Sequence, residues 1–228
     1  SFGKVDQPLM PHLADSLSKA VAHKSEGKEK LDQEVFLSTL RIVGESVEDL
    51  FKQKLFEILP DAKELGNPSE IDRYERDQLL VSCAPIKGLP RMQVKVREYA
   101  DEAKEKGKSD ELWPHSRQLG DVLRAMVVCG TPEQLWATWQ AIRDGFDVRD
   151  GNGRVKNNFA PENTSKPPDM LLNVAVKFEG YEMPVVGEIQ LHYRPILELK
   201  ENEMHLFYEV ERAATITALI PKGGAAPA

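Results

Sequence analysis

Apolar residues in the first half of the chain recur at helical spacing. Over about 34–65 they are separated by three and four positions, which predicts a long amphipathic helix that Pro60 breaks or kinks. Further helices are predicted over 12–24, 70–82 and 89–105. The first half of the chain is therefore expected to be mainly helical.

The hydrophobic period changes in the second half. Compact or alternating apolar runs predict strands at about 122–129, 171–178 and 184–192. A tight turn at Glu179-Gly180 is expected to join the last two as an antiparallel pair. After the first strand, Thr131 fits a helix N-cap, Pro132 the first helical position and Gly145 a helix stop. A last helix is predicted over about 195–213.

This order of elements predicts an α+β fold. We expect a small mixed or antiparallel sheet with helices on one face, preceded by an N-terminal helical region. Residues 1–84 are assigned to that helical accessory region, and residues 85–215 to the domain that carries the sheet. Residues 216–228 contain too little apolar bulk to pack and are predicted to be a disordered tail.

Composition narrows the class of partner. The net charge of -7 argues against a chain that coats nucleic acid, so no duplex nucleic acid is expected as a partner. No apolar run approaches the roughly 20 residues of a membrane span, so no membrane partner is expected. The two cysteines, Cys83 and Cys129, lie far apart in apolar surroundings, which favours reduced thiols and an intracellular, soluble protein of the cytoplasm or an organelle lumen. The oligomeric state is left open.

The last predicted strand carries a row of polar side chains. Because successive strand residues alternate between faces, Glu188, Gln190 and His192 share one face, and Ile189 and Leu191 share the other. Each of the three polar side chains is able to bind a metal, a proton or a hydroxyl group. This row is either an ordinary solvated face or the floor of a binding site.

Pairing of the last two strands would enlarge this polar face. Asn173 and Lys177 would then join Glu188 on one open surface. Asp121 stands just before the apolar run of the first strand, where an acidic residue is either a turn residue or a metal ligand. Two carboxylates from different strands are enough to hold Mg²⁺ on a phosphorylated substrate.

Basic residues occur in two short patterns. Lys87, Arg91 and Lys95 stand four apart, which predicts one stripe on a helix, and no acidic residue lies four positions from Arg91. Arg154 and Lys156 alternate along a short extended piece. Such stripes are either solvated faces or sites for phosphate oxygens.

Several of these segments resemble one family when they are taken together and in order. The segments are KGLPRMQVKVREY, GDVLRAMVVC, RVKNNF, GEIQLH and the final helix that contains His205. They resemble the RelA/SpoT-type nucleotidyltransferase domain, the synthetase module of alarmone, or (p)ppGpp (guanosine tetraphosphate and pentaphosphate), enzymes. The resemblance covers about 86–213 and identifies the chain as a divergent member.

The resemblance implies a reaction and a cofactor. In that family the pyrophosphate group of ATP is transferred to a ribose 3'-hydroxyl of GDP or GTP, and some members modify other 3'-hydroxyls, including those of tRNA ends. Glu188 is similar to the catalytic Glu of the family and would be the base or an Mg²⁺ ligand. Asp121 would be the principal Mg²⁺ ligand.

The same resemblance implies the binding residues. Lys87, Arg91 and Lys95 would hold the donor phosphates, and Arg154 and Lys156 would hold the acceptor or the transferred group. The full substrate-binding set is Lys87, Arg91, Lys95, Arg124, Arg154, Lys156, Asn173, Gln190, His192 and His205.

The chain also departs from the family pattern. SKPPDMLLNV stands where the family has a Tyr that stacks on the acceptor base, Pro85 lies near the place of a donor-site Arg, and Asn157 stands where the family often has Asp. Two hypotheses follow. The chain is either a pyrophosphokinase-like enzyme with an open choice of acceptor, or a catalytically degenerate member that acts as a nucleotide-binding or protein-interaction module.

Overall fold

The computed structural model describes residues 29–109, 113–148, 155–160, 168–177 and 185–200. Several predictions fall outside these ranges: the helix over 12–24, the turn at Glu179-Gly180, the last helix beyond residue 200, the disordered tail, Arg154 and His205. No helix among the described residues is long and apolar enough to cross a membrane.

The described residues form four α-helices and seven strands. The helices are α1 (Glu29–Ile58), α2 (Leu89–Glu105), α3 (Pro132–Gly145) and α4 (Arg194–Leu199). The strands are β1 (Lys63–Glu64), β2 (Leu80–Ala84), β3 (Leu123–Cys129), β4 (Asp147–Val148), β5 (Val155–Asn157), β6 (Met170–Val176) and β7 (Val185–Tyr193). Short 3₁₀ helices cover Pro68–Arg73 and His115–Gln118.

The described strands form one mixed sheet in the order β1-β2-β3-β7-β6-β4, and β5 also pairs with β6. The β1–β2 and β3–β7 pairs are parallel, whereas the other pairs are antiparallel. The predicted α+β class is confirmed, as are the three predicted strands and the antiparallel pairing of β6 with β7.

The core lies between one face of this sheet and two helices. Alternate residues of β3 and β7, among them Ala125, Val127 and Ile189, are buried against α1 and α3. Gly187 allows the ring of Phe51 to pack on β7, since an added Cβ would lie 3.2 Å from that ring. The helices therefore close this face and leave the polar residues of β7 on the other.

A second, smaller core joins α1 to α2. Leu37 of α1 packs with Met92 and Val96 of α2. Leu119 and Val122, which flank the predicted site residue Asp121, belong to the same cluster. This packing holds the segment that leads into β3.

The helix predicted over 70–82 is wrong. Asn67 caps a 3₁₀ helix over Pro68–Arg73, because its side chain accepts a hydrogen bond from the Ser69 backbone at 3.1 Å. The chain then becomes extended, and β2 pairs with β3 along its whole length. Burial of apolar residues of β2 in the sheet overrides the local helical pattern.

The first two strands lie on the N-terminal side of the proposed domain boundary at residue 84. β1 and β2 lie within 1–84, the segment assigned to a helical accessory region, and they are hydrogen-bonded members of the sheet. The proposed boundary at residue 84 therefore falls at the end of a sheet strand.

Candidate functional site

The polar residues of β7 lie at the centre of the sheet face that α1 and α3 do not cover. Glu188 is paired in register with Arg124 of β3 and with Asn173 of β6. Residues paired in register present their side chains to the same face, so these three side chains emerge together. We call this surface the open face.

A second row crosses the open face beside the first. Gln190 pairs with Met126 on one side and with Leu171 on the other, and Leu171 in turn pairs with Lys156 of β5. The strand register therefore places Lys156, which is exposed, on the open face two strands away from Gln190.

Asp121 is held at the edge of this face by an ion pair. Lys87 Nζ donates to Asp121 Oδ2, and both side chains are mostly buried, with 10% and 18% exposed. The second oxygen, Asp121 Oδ1, is buried and accepts no hydrogen bond from any residue that the structure describes. The neighbouring Gly120 carbonyl accepts a hydrogen bond from Asn173 Nδ2 at 3.2 Å, which ties the Asp121 segment to β6.

The position of Lys87 corrects one prediction. Lys87 does not belong to a helical stripe with Arg91 and Lys95, because α2 begins at Leu89 and Gly88 is its N-cap residue. Lys87 instead lies in the short segment between β2 and α2. Arg124 anchors that segment, since its Nη2 donates to the Pro85 carbonyl at 2.9 Å.

Glu188 is the carboxylate at the centre of the open face. Its Oε1 accepts a hydrogen bond from Gln190 Nε2 at 2.8 Å. The pKa of Glu188 is raised overall, mainly by burial and to a smaller extent by the charge of Asp121. The hydrogen bond from Gln190 and the charges of Lys87 and Arg124 act in the opposite direction. Two carboxylates and two cations thus share one electrostatic environment.

His192 lies on the same face of β7 but is buried, at the end of the sheet where its partner in β3, Val128, packs with Ile71 and Leu197. It is 4% exposed, and its Nε2 lies 3.4 Å from Gln190 Oε1. Burial lowers the pKa of His192 to about 4, with Lys200 lowering it further and Asp169 raising it. A neutral imidazole protonated at Nε2 would donate to Gln190 and so orient the amide that contacts Glu188.

The two basic residues predicted on α2, Arg91 and Lys95, lie farther from the ion pair of Lys87 with Asp121 along the chain. Arg91 is exposed on α2. Lys95 donates to Glu98 at 2.9 Å and lies 5.1 Å from the centre of the Tyr99 ring. The pKa of Lys95 is raised, mainly by the hydrogen bond to Glu98, with a smaller contribution from Asp121.

Arg194 is a buried charged residue that the sequence analysis missed. It is 3% exposed, donates to the backbone carbonyls of Ile71, Tyr74 and Glu75, and bonds Glu198 Oε1 at 2.7 Å. It stands at the first residue of α4, where the helix dipole disfavours a cation. The sequence signal for part of this arrangement is Glu198 four residues later, a spacing that allows an ion pair on one helix face.

A cavity of about 390 Å³ lies on the helix-covered side of the molecule. Its lining comes from the end of α1, the segment before β2 and one face of α3, and includes none of the predicted site residues. The open face is a surface formed by strands and is not part of this cavity.

Comparison with known proteins finds similarity at the level of solved structures. No protein-family model matches the chain, and no curated protein matches it significantly. The chain is similar to the small alarmone synthetase 1 of Bacillus subtilis, with 15% identity, a TM-score of 0.46, and coverage of 81% of this chain and 83% of the other.

The chain is similar to two further solved structures at comparable identity and TM-score. One is the same synthetase bound to its product pppGpp, with 16% identity, a TM-score of 0.43, and coverage of 81% and 84%. The other is a GTP pyrophosphokinase family protein of Streptococcus pneumoniae, with 12% identity, a TM-score of 0.40, and coverage of 82% and 78%. These are proteins of the kind that the sequence motifs resemble. Because the TM-scores lie below 0.5, the proposed function rests on the residues of the site.

Proposed function

We propose that the open face is the active site of an Mg²⁺-dependent, pyrophosphokinase-like enzyme that transfers pyrophosphate from ATP to a 3'-hydroxyl. The observation that carries this proposal is the meeting of Asp121 and Glu188 with Lys87 and Arg124 in one mostly buried environment. Phosphoryl transfer depends mainly on positioning and on neutralisation of charge, which carboxylates, a metal ion and basic side chains supply together.

The residues fit a magnesium ion. Asp121 Oδ1 is a buried carboxylate oxygen without a hydrogen bond within the described ranges, and Mg²⁺ prefers oxygen ligands. Asp121 would be the principal ligand of the ion, with Glu188 as a second ligand if it does not act as the base, and bound Mg²⁺ would neutralise charge on the donor phosphates. Among the described residues, no group of three or more His, Cys, Asp or Glu is arranged so that it could hold a metal ion. Two carboxylates suffice, because Mg²⁺ usually takes one or two together with phosphate oxygens.

Glu188 is suited to the role of general base. Burial raises its pKa and so strengthens the carboxylate as a proton acceptor. Gln190 engages Oε1, so Oε2 is the oxygen that would take the proton of the acceptor hydroxyl. The acceptor oxygen would then bond to the β-phosphorus of ATP while the bond from that phosphorus to the bridging oxygen of the α-phosphate breaks, and AMP would leave.

The basic residues would divide between the two substrates. Lys87, beside Asp121, would bind the donor phosphates, and Arg91 is exposed on α2 for the same use. Lys156, on the open face, would bind the acceptor or the transferred group. The acceptor stays a choice between GDP, GTP and the 3'-hydroxyl of another nucleotide or an RNA.

One observation favours a second candidate function. The Asp121 carboxylate already has a cation partner in Lys87, so the site is electrically balanced without a metal. A catalytically degenerate protein that binds a nucleotide or a protein partner would have no need to release that pair.

Transfer of label tests the proposal against this alternative. The protein is incubated with [γ-³²P]ATP, Mg²⁺ and a panel of GDP, GTP, other nucleotides and short RNAs, and products are separated by chromatography. The proposal predicts label in one acceptor together with an equal amount of AMP, both of which EDTA abolishes. Binding of ATP without label in any acceptor would favour the degenerate module.

A further inference from the structure

The cation beside Asp121 in the free protein is a lysine of the chain itself. Lys87 Nζ is paired with Asp121 Oδ2, and both groups are mostly shielded from water. The other oxygen of Asp121 is buried and, within the described part of the chain, has no hydrogen-bond partner. This carboxylate is therefore neutralised on one side and still able to take a ligand on the other.

The charges around this pair balance. Asp121 and Glu188 carry two negative charges when ionised, and Lys87 and Arg124 carry two positive charges. A free divalent cation that entered this group would raise its net charge to +2 in a partly buried place, which is unfavourable. A divalent cation that arrives with a triphosphate brings an excess of negative charge, which the two basic side chains would offset.

The backbone around Lys87 is anchored on both sides, whereas its side chain is free to change rotamer. The segment that carries it is held by the hydrogen bond from Arg124 to the Pro85 carbonyl and by the start of α2 at Leu89. The lysine ammonium is a compact charge on a flexible four-carbon chain, so it is able to change partners while the backbone stays in place.

We propose that Lys87 acts as an exchangeable counter-ion, which occupies the cation position at Asp121 in the free protein and passes to the donor phosphates when a metal–nucleotide complex binds. The inference rests on the proposed function of the same site. Free metal then binds weakly, and metal and nucleotide strengthen each other's binding through this side chain.

Metal binding to the free protein tests this exchange. Mn²⁺ serves as the probe, and the free ion is counted by electron paramagnetic resonance without any nucleotide. Lys87→Met should tighten Mn²⁺ binding by roughly tenfold or more, within the usual range of coupling between binding sites. Lys87→Arg keeps the charge and should bind Mn²⁺ as weakly as the wild type.

Two further variants separate this effect from general electrostatics. Lys52→Met removes the same charge from an exposed ion pair with Glu64 and should leave Mn²⁺ binding unchanged. Asp121→Asn, added to Lys87→Met, should abolish the gain. Thermal melting confirms that each variant is folded, and Lys87→Gln replaces Lys87→Met if the latter fails to fold.

The effect of a bound nucleotide on Mn²⁺ affinity provides a second test. The non-hydrolysable analogue α,β-methylene-ATP should tighten Mn²⁺ binding to the wild type more than to Lys87→Met. Equal or weaker Mn²⁺ binding by folded Lys87→Met, compared with the wild type, would overturn the exchange. These measurements need no turnover, so a protein that transfers no pyrophosphate would refute the proposed function and leave the metal result standing.

Discussion

Among the described residues, some buried charged groups have all their hydrogen-bond partners and others do not. Arg194 has partners for its guanidinium on three backbone carbonyls and on Glu198. Asp121 Oδ1 and Arg124 Nε are buried without partners among the residues described. A buried polar atom without a partner is costly in a folded protein, and such atoms concentrate where a ligand completes the set. Asp121 and Arg124 are also residues whose charges act on Glu188. Gln33 Oε1, Ser116 Oγ and Gln118 Nε2 are likewise buried without a partner within the described ranges, but they belong to uncharged side chains.

Burial of His192 predicts a dependence of stability on pH. The pKa of His192 is lowered from 6.5 to about 4, so between these values the unfolded chain binds a proton that the folded protein does not. The free energy of unfolding should therefore fall as the pH drops through this window. The loss due to this residue should reach roughly 2–3 kcal/mol near pH 4.5.

Urea unfolding of the wild type and of His192→Asn, at about pH 7 and pH 4.5, checks this contribution. Asn retains a donor for Gln190 and does not titrate in this range. The wild type should lose more stability than the variant on acidification. An equal loss in both proteins would mean that His192 is not held neutral by the fold.

At the scale of elements, the junction of β3 with α3 depends on a glycine. A Cβ at Gly130 would lie 2.2 Å from the Arg76 carbonyl oxygen and 2.6 Å from Asp77 Cα, and neither backbone atom is able to move cheaply. Gln134 joins the same parts, since it accepts from the Gly130 N–H at 2.6 Å and donates to the Asp77 carbonyl at 3.0 Å.

Gly130→Ala should therefore lower the free energy of unfolding by at least about 2 kcal/mol, as overpacking against a rigid neighbour does. Gly66→Ala is the matched control, because nothing lies within 4 Å of its added Cβ, and it should change stability by less than about 1 kcal/mol. Chemical denaturation of both variants gives the comparison. Wild-type stability in Gly130→Ala would show that the 76–77 segment is not packed as described.

The helices and strands that could be predicted from the sequence are those whose residue spacing is sufficient to fix their structure. The bounds of α2 and α3, the cap at Thr131 and the alternation of β7 follow from spacing, capping and burial within each segment. The segment 70–82 could not be predicted in this way. Its last part becomes a strand only because β3 offers a pairing edge that lies more than forty residues away in the sequence.

The candidate site likewise contains residues that local spacing could place and residues that it could not. Glu188, Gln190 and His192 are adjacent on one strand, so alternation alone places them on one face. The pair of Lys87 with Asp121 joins positions 34 residues apart. It depends on the segment after β2 and on packing of Val122 in the second core, neither of which has a local signature.

In the whole molecule, α1 and α3 cover one face of the sheet, and α4 packs on the open face only around Val128, through Leu197. Tyr193 pairs with Cys129, a member of the core cluster, so it faces the helices and is not available to stack on a base at the open face. Phe159 is half-buried in the turn that follows β5. Of these two aromatic residues, Phe159 alone is placed near Lys156.

The nucleotide preference tests this arrangement. ATP with Mg²⁺ should bind measurably, whereas GDP should bind weakly. The expected reason is that SKPPDMLLNV offers no Tyr to stack on a guanine base, and absence of one such stack costs about 1–3 kcal/mol, or roughly tenfold to a hundredfold in affinity. Calorimetry with each nucleotide measures both affinities. Tight GDP binding that Phe159→Leu weakens would show that Phe159 has taken over the stacking role.

The carboxylates of the open face should carry out the transfer, and the rate of transfer by Glu188→Gln shows whether they do. The substitution keeps the shape of the side chain and removes its capacity to accept a proton. Glu64→Gln makes the same change at an exposed residue paired with Lys52. Glu188→Gln should lower the rate of label transfer from ATP by about 10²–10⁴-fold, whereas Glu64→Gln should retain the wild-type rate. Transfer by folded Glu188→Gln at close to the wild-type rate would mean that Glu188 is not the base of the reaction.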